Sequence, residues 1–221
     1  MMKRSTEKYQ EVSDRIRSLS IESCIMLGLF GMARTVPMLK HIARHEQFEE
    51  LDKFGQFIIF GVQKLLYRSL EFVKEAKKGL AFCNAVIPLL ETYDFSKSAD
   101  PFDRNLMGVT YPLMEEWFYF LGFFSVALDD PELKDMGRLA TAKLTMIDFY
   151  LCNKYADRVE PGLLQKKVNE DPSIAGEIKR IDQDIAFVTE LDFLRDKKRV
   201  EQRMALYMKC SSALEEDPFG Q

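Results

Sequence analysis

The sequence has few of the residues that most often bind metal ions or carry acid–base catalysis. Histidine occurs only at His41 and His45 in a chain of 221 residues. The four cysteines are far apart, and none belongs to a CxxC pair: Cys24, Cys83, Cys152 and Cys210. Because zinc clusters and redox dithiols need closely spaced cysteines, this distribution is typical of free thiols in a reducing cytosol.

The chain also lacks an excess of positive charge, and we expect no secretory leader. Lysine and arginine number 31 against 35 aspartates and glutamates, which gives a formal net charge of −4. No global positive field therefore attracts nucleic acid. The first residues contain Glu7, Glu11 and Asp14 and no apolar core of a signal peptide. We expect a cytoplasmic protein that contacts neither nucleic acid nor membrane and has no cofactor.

The most aromatic stretch of the chain, Leu106–Leu128, contains the only tryptophan, Trp117. Its only charges, Glu115 and Glu116, follow Pro112, an order that suits the first turn of a helix. The uncharged part that begins at Trp117 has twelve residues. At 1.5 Å per residue it would span about 18 Å, whereas a bilayer core requires about 20 apolar residues. We therefore predict a buried central helix and not a membrane span.

Helical periodicity recurs along the rest of the chain, and strand-like alternation of useful length does not. Apolar residues recur at spacings of three and four over 9–19 and again over 133–151. A mostly apolar stretch covers 21–33, and Pro37 is expected to end or restart the chain there. The sequence predicts an all-α fold.

The composition favours one domain over the whole chain. A hydrophobic content of 47% is enough to fill a sizeable core. We predict a single helical bundle over 1–221, with about seven or eight helices around the central aromatic helix. Residues 215–221 are predicted to form a disordered tail.

The last long helix is predicted to begin at Asp171, as N-cap, with Pro172 at its first position. Four isoleucines then recur at heptad spacing and continue to Val188; this heptad stripe consists of Ile174, Ile178, Ile181 and Ile185. A narrow stripe of this kind suits either one neighbouring helix of the same chain or a second subunit.

Basic residues cluster late in the same predicted helix: Arg195, Lys197, Lys198, Arg199 and Arg203. Asp196 and Glu201 interrupt the cluster, and no aromatic residues alternate with it as they do on RNA-binding surfaces. The pattern predicts a solvated face with salt bridges.

His41 and His45 form the pair most suggestive of chemistry, because residues four apart share one helix face. Glu46 is adjacent, so the three residues are a candidate metal site. Zinc sites require three or four protein ligands, however. Ile42 replaces the glutamate of the HExxH pattern, and no Glu-x-x-His occurs. A solvated helix face is the preferred interpretation.

Tyr111, Glu115 and Trp117 are the candidate ligand-binding residues. A buried Glu115 or Glu116 would have a raised pKa suited to proton transfer. Adjacent helical residues diverge by about 100°, so both carboxylates cannot face one substrate. Nucleophile elbows, P-loops and dinucleotide fingerprints are absent from the sequence. Their absence weakens an enzymatic interpretation without eliminating it.

One resemblance to a known family follows from the order of these motifs. Asp103 precedes a Gly108-Val-Thr-Tyr-Pro112 turn with an acid at Glu115, and Asp171-Pro-Ser-Ile174 follows later. This combination resembles the YjaG-like family of uncharacterised all-helical bacterial proteins, over roughly 103–188 by motif order. Thr110 is an insertion in the turn. The resemblance implies the fold and a bacterial cytosolic setting, and it transfers no catalytic residue.

The leading hypothesis from the sequence is a helical protein that acts through protein–protein contacts, as a homodimer or with another partner. The alternative is a small-ligand- or metal-binding protein, including an enzyme, that uses His41 and His45. The second hypothesis also depends on an interior rich in bulky residues, with 17 phenylalanines and 11 methionines.

Overall fold

The computed structural model describes residues 3–45, 77, 81, 84, 85, 88, 131–156, 158–192 and 195–209. All regular secondary structure in these ranges is helical and none is strand, which confirms the all-α prediction. None of the helices in these ranges is both long enough and apolar enough to cross a membrane. The predicted central helix Leu106–Leu128 and the predicted tail 215–221 lie outside the described residues.

Six α-helices and one 3-10 helix have defined bounds within the described ranges. They are α1 (Lys3–Arg17), α2 (Ile21–His45), the 3-10 helix (Pro131–Thr141), α3 (Ala142–Ala156), α4 (Leu164–Asn169), α5 (Pro172–Thr189) and α6 (Lys197–Lys209). Helix α2 packs most extensively on the 3-10 helix and also contacts α3, α5 and α6. It is therefore the element on which most of the described helices pack.

Helix α2 is buried over the whole of 23–37 because apolar residues cover nearly all of its faces. The prediction that Pro37 ends this segment is wrong, since the helix continues to His45. A proline inside a helix removes one backbone hydrogen bond and costs about 3 kcal/mol. Pro37 is itself buried. Packing on neighbouring helices therefore offsets the local preference of proline to end a helix.

Two glycines let the backbone of α2 touch the backbone of the 3-10 helix. A Cβ atom on Gly31 would lie 2.0 Å from the carbonyl oxygen of Leu139, and one on Gly28 would lie 2.3 Å from that of Met136. No larger side chain fits at either position without separating the two helices. These two residues explain how the two elements come into such close contact.

The apolar periodicity over 133–151 predicts one helix, and the structure divides this range in two. The 3-10 helix ends at Thr141, and α3 begins at Ala142. Side chains three apart eclipse one another in a 3-10 helix. Met136 and Leu139, which are three apart in the 3-10 helix, are accordingly both buried.

The start of α5 confirms the capping prediction. A carboxylate oxygen of Asp171 accepts a hydrogen bond from the backbone nitrogen of Ser173 at 3.0 Å, and Pro172 occupies the first turn. The prediction that this helix continues through the basic cluster is wrong. Helix α5 ends at Thr189, and a separate helix, α6, begins at Lys197.

Candidate functional site

The most unusual feature of the described core is a buried group of charges, which we call the Arg34 cluster. It joins α2, α5 and α6 and consists of Arg34, Glu177, Asp184, Arg203 and Tyr207. The side chain of Arg34 is 2% exposed, and those of both carboxylates are fully buried. Charged groups are rarely buried unless they are paired, so the geometry of the pairing matters.

Arg34 uses three nitrogen atoms to hold three partners. Its Nε atom donates to Glu177 at 2.7 Å, and one terminal nitrogen donates to Asp184. The other terminal nitrogen donates to the carbonyl oxygen of Ala140 at 2.7 Å. A single guanidinium therefore ties α2 to α5 and to the end of the 3-10 helix.

Asp184 extends the cluster to α6. Its Oδ1 atom accepts two hydrogen bonds, one from Arg203 Nε at 2.6 Å and one from the hydroxyl of Tyr207. The Arg203 side chain is 22% exposed and forms the border between the cluster and solvent. Arg203 thus differs from the prediction of a solvated basic face. Arg195 and Arg199 do form surface pairs, with Asp192 and Asp196.

The electrostatics of the cluster raise the pKa values of Arg34 and Tyr207. Burial lowers the pKa of Arg34, but Glu177 and Asp184 outweigh this effect and raise the pKa above its ordinary value. Burial, followed by the charge of Asp184, raises the pKa of the Tyr207 phenol. The guanidinium stays charged and the phenol stays protonated at neutral pH. The cluster thus fixes the positions of three helices relative to one another.

Sequence reasoning missed this cluster, although a signal for it exists. Arg34 is the only charged residue between Glu22 and Lys40. Glu177 and Asp184 lie seven residues apart, next to isoleucines of the heptad stripe. A charge inside an apolar run and two acids in heptad register together predict a buried pair.

Two surface grooves flank α1. The first, which we call the α1/3-10 groove, has a volume of about 310 Å³. It is lined by Tyr9, Gln10, Ser13, Ile16, Arg17, Lys134, Asp135, Arg138 and Thr141. The hydroxyl of Tyr9 donates to the carbonyl oxygen of Leu144 at 3.2 Å. Among the described residues that line this groove, three are cationic and one is anionic.

The second groove, the α1/α5 groove, lies between these two helices and has a volume of about 330 Å³. It is lined by Glu11, Val12, Arg15, Ala175, Ile178, Lys179 and Asp182. Arg15 and Asp182 pair across it at 2.5 Å, and each of these side chains is 43% exposed. The described lining thus combines three apolar residues with charged residues from both helices, and we call the charged residues of each helix its rim.

The heptad stripe of α5 divides between the core and this groove. Ile174, Ile181 and Ile185 are buried, with at most 8% of each residue exposed. Ile178 is half-buried and lines the α1/α5 groove. Three members of the stripe thus pack within this chain, and one remains accessible to a partner.

The structure places the candidate metal ligands only in part. The backbone of His41 and His45 belongs to α2, so the two residues lie about one helical turn apart. Their side chains, and the whole of Glu46, lie outside what the structure describes. Within the described residues, no group of three histidines, cysteines or acids is arranged to hold a metal ion. The metal site stays a prediction.

The candidate ligand-binding residues Tyr111, Glu115 and Trp117 lie outside the described residues as well. They too remain a prediction.

Asp148, on α3, interacts electrostatically with Tyr9. One carboxylate oxygen of Asp148 is buried and has no hydrogen-bond partner among the described residues. Burial raises the pKa of Asp148, and a hydrogen bond with Gln165 partly opposes the rise. Burial, followed by the charge of Asp148, also raises the pKa of Cys152. Both effects disfavour the thiolate, which is the reactive form of cysteine.

Cys24, which is also a free thiol, is fully buried, and burial raises its pKa to about 11.

A comparison of the chain with protein-family models, with curated proteins and with solved structures found no significant match.

Proposed function

We propose that this protein acts through protein–protein contact and that its partner is a second copy of the same chain, docked at the α1/α5 groove. The observation that supports the proposal is the position of Ile178. It continues an otherwise buried apolar stripe, yet it is half-exposed in a groove on the surface. An apolar side chain at the base of a surface groove is the type of group that association buries.

The composition of the groove favours a second copy over a partner of one charge. Its apolar lining residues are Val12, Ala175 and Ile178. The rim on α1 carries Glu11 and Arg15, and the rim on α5 carries Lys179 and Asp182. Each rim thus has one charge of each sign, so a two-fold axis can bring opposite charges together. In an isologous contact the same patch must be complementary to itself.

The size of the surface also fits this arrangement. A standard interface buries about 800 Å² on each partner, more than the groove provides by itself. Helices α1 and α5 have 15 and 18 residues, which correspond to lengths of about 22 and 27 Å. The proposed contact extends from the groove along α1 and α5 and includes Ile178.

Light scattering on wild-type protein and on an Ile178→Asp variant tests the proposal. We expect the wild type at micromolar concentration to have twice the chain mass of 25.7 kDa. We expect the variant to have the single-chain mass and an unchanged circular dichroism spectrum, because a charge at a desolvated contact is costly. The variant Gln183→Glu is the matched control. It adds the same charge to α5 at an exposed position that does not line the groove.

A monomeric wild type at these concentrations would contradict the proposal. A variant that remains dimeric would place the contact elsewhere on the molecule. Ile181→Asp is a less informative choice, since Ile181 is fully buried and the substitution would unfold the chain whether or not it dimerises.

We also propose the cellular compartment, the family and the central helix that the sequence implies. The protein is a cytosolic, bacterial, single-domain bundle related to the YjaG-like family, with segment 106–128 as its central helix. The single tryptophan provides a test of the central helix. A buried Trp117 should emit at short wavelength and resist quenching by iodide, whereas exposed-type emission from the folded protein would contradict the arrangement.

A further inference from the structure

The 3-10 helix is much longer than helices of this type usually are. It runs over 11 residues, Pro131–Thr141, and continues directly into α3 at Ala142. Runs longer than about three or four residues are uncommon, because the hydrogen bonds of a 3-10 helix have poorer geometry than those of an α-helix. We propose that segment 131–141 is a conformational switch, which is a 3-10 helix when docked on α2 and converts to an α-helix when that docking is released.

The first argument is that the amino-acid sequence of the segment also suits an α-helix. Apolar residues recur at spacings of three and four from Leu133 through Met136, Ala140 and Leu144. This spacing follows the 3.6-residue turn of an α-helix and not the three-residue turn of a 3-10 helix. In the α form the segment would continue the apolar face of α3. Contacts with the rest of the fold must therefore select the 3-10 form.

The second argument is that the close contact with α2 favours the 3-10 form. Gly28 lies against the carbonyl oxygen of Met136, and Gly31 lies against that of Leu139. Residues three apart are eclipsed in a 3-10 helix, so these two carbonyl groups point to the same side. In an α-helix they would diverge by about 60°. Conversion would therefore change the contacts that the two glycines make possible.

The third argument is that the Arg34 cluster holds the junction between the segment and α3. The Arg34 guanidinium donates to the carbonyl oxygen of Ala140 at 2.7 Å, next to the last residue of the 3-10 helix. The Thr141 hydroxyl donates to the carbonyl oxygen of Arg138, three residues earlier, whereas the Thr145 hydroxyl donates to that of Thr141, four residues earlier. Because Arg34 also pairs with α5, the junction is tied to the position of that helix.

Conversion would change the length of the segment and with it the position of α1. A residue rises by about 2.0 Å in a 3-10 helix and by about 1.5 Å in an α-helix, so the 11 residues would shorten by about 5 Å. Gly137 lies against α1, because a Cβ atom there would be 2.4 Å from the side chain of Ile16. The switch therefore links the docking of α5, through Arg34, to the position of α1.

Pulsed double electron–electron resonance between spin labels at positions 135 and 153 tests the switch in the full-length protein. Asp135 and Asn153 are exposed, and ketone-bearing residues placed there accept labels without replacement of the native cysteines. Labelled chains are diluted with unlabelled chains, so that only distances within one chain contribute. Each residue that converts shortens the helix by about 0.5 Å, so the α form should bring the two labels closer by about 3 Å.

Arg34→Lys should produce this shortening, because lysine keeps the positive charge in the cluster but lacks the planar fork that also reaches Ala140. Thr141→Ala should move part of the population to the shorter distance, since it removes the hydroxyl contact with Arg138 and alanine has the higher helix propensity. Circular dichroism shows whether each variant is folded.

Thr145→Ala is the matched control. It is the same substitution at an exposed position that already belongs to α3, and it should leave the distance between the labels unchanged. An unchanged distance in Thr141→Ala, or in a folded Arg34→Lys, would overturn the proposal. Equal shortening in Thr141→Ala and Thr145→Ala would overturn it as well. If Arg34→Lys does not fold, the comparison of the two threonine variants decides alone.

Discussion

Two aspartates on α5 form a natural pair for testing how the charged groups contribute to stability. Asp182 and Asp184 are two residues apart, and each pairs with an arginine from another helix. The pair of Asp182 with Arg15 is 43% exposed on both sides, whereas the pair of Asp184 with Arg34 is almost completely buried. Asp182→Asn and Asp184→Asn therefore remove the same charge from the same helix in two different environments.

The cost of Asp184→Asn follows from what it leaves behind. Arg34 would keep Glu177 and the carbonyl oxygen of Ala140 but would lose its contact with a second carboxylate. Arg203 and Tyr207 would also lose their charged acceptor. Breaking a buried pair by removal of one partner costs roughly 3–5 kcal/mol.

The exposed pair gives a much smaller expectation. A solvent-screened ion pair contributes roughly 0–1 kcal/mol. We therefore expect the two variants to differ in free energy of unfolding by about 2 kcal/mol or more. Domains of this type are stable by roughly 5–15 kcal/mol, so Asp184→Asn should remove a large share of the total.

Urea denaturation monitored by circular dichroism measures both variants. The midpoint should fall strongly for Asp184→Asn and slightly for Asp182→Asn, with the slope of the transition unchanged. Added salt should weaken the contribution of Asp182 more than that of Asp184, since buried charges are poorly screened. If the two variants differed by less than about 1 kcal/mol, the Arg34 cluster would not stabilise the fold in the way its geometry indicates.

Three further substitutions test the backbone contact and the carboxylate of Asp148. Gly31→Ala should cost roughly 1–3 kcal/mol in a thermal or urea denaturation, because its Cβ would meet the Leu139 carbonyl oxygen at 2.0 Å. At Gly176, in α5, an added Cβ would meet nothing within 4 Å beyond its chain neighbours and the backbone of its own helix, so Gly176→Ala should instead stabilise the fold by roughly 0.5–1 kcal/mol. Equal effects of the two substitutions on stability would contradict the close approach of α2 to the 3-10 helix at Gly31. Asp148 has a folded-state pKa raised above its ordinary value of 3.8, so its stabilising effect is complete below that pH and is lost as pH rises. Asp148→Asn should therefore gain stability relative to the wild type as pH increases from about 4, and a pH-independent difference would show that the carboxylate is not held in the acid form.

Local signals in the sequence predicted the features that depend on neighbouring residues. The N-cap at Asp171 and the proline after it depend on a few adjacent residues, and both occur in the structure. The amphipathic pattern over 9–19 likewise matches α1, whose Val12 and Ile16 are buried. Propensity and capping act over one or two turns, so a single sequence contains the information they require.

Features that depend on packing between distant segments were not predicted. Pro37 reads locally as a helix end, but it lies inside α2 because neighbouring helices bury that turn. Arg34 pairs with residues 143 and 150 positions later in the chain. Nothing in the local pattern around Arg34 identifies those partners. The heptad stripe was recognised, but only the structure distinguishes Ile178 from its buried neighbours.

Cross-linking of isotopically mixed protein tests the central proposal, self-association through the α1/α5 groove, most directly. Unlabelled and ¹⁵N-labelled chains are combined, treated with a zero-length reagent that joins carboxylates to lysine, and analysed by mass spectrometry. The proposal predicts mixed-isotope links between rim residues, with Glu11 of one copy joined to Lys179 of the other. Ile178→Asp should abolish these links. If Glu11 and Lys179 were linked only in peptide pairs that carry the same isotope, the groove would not be the contact between copies.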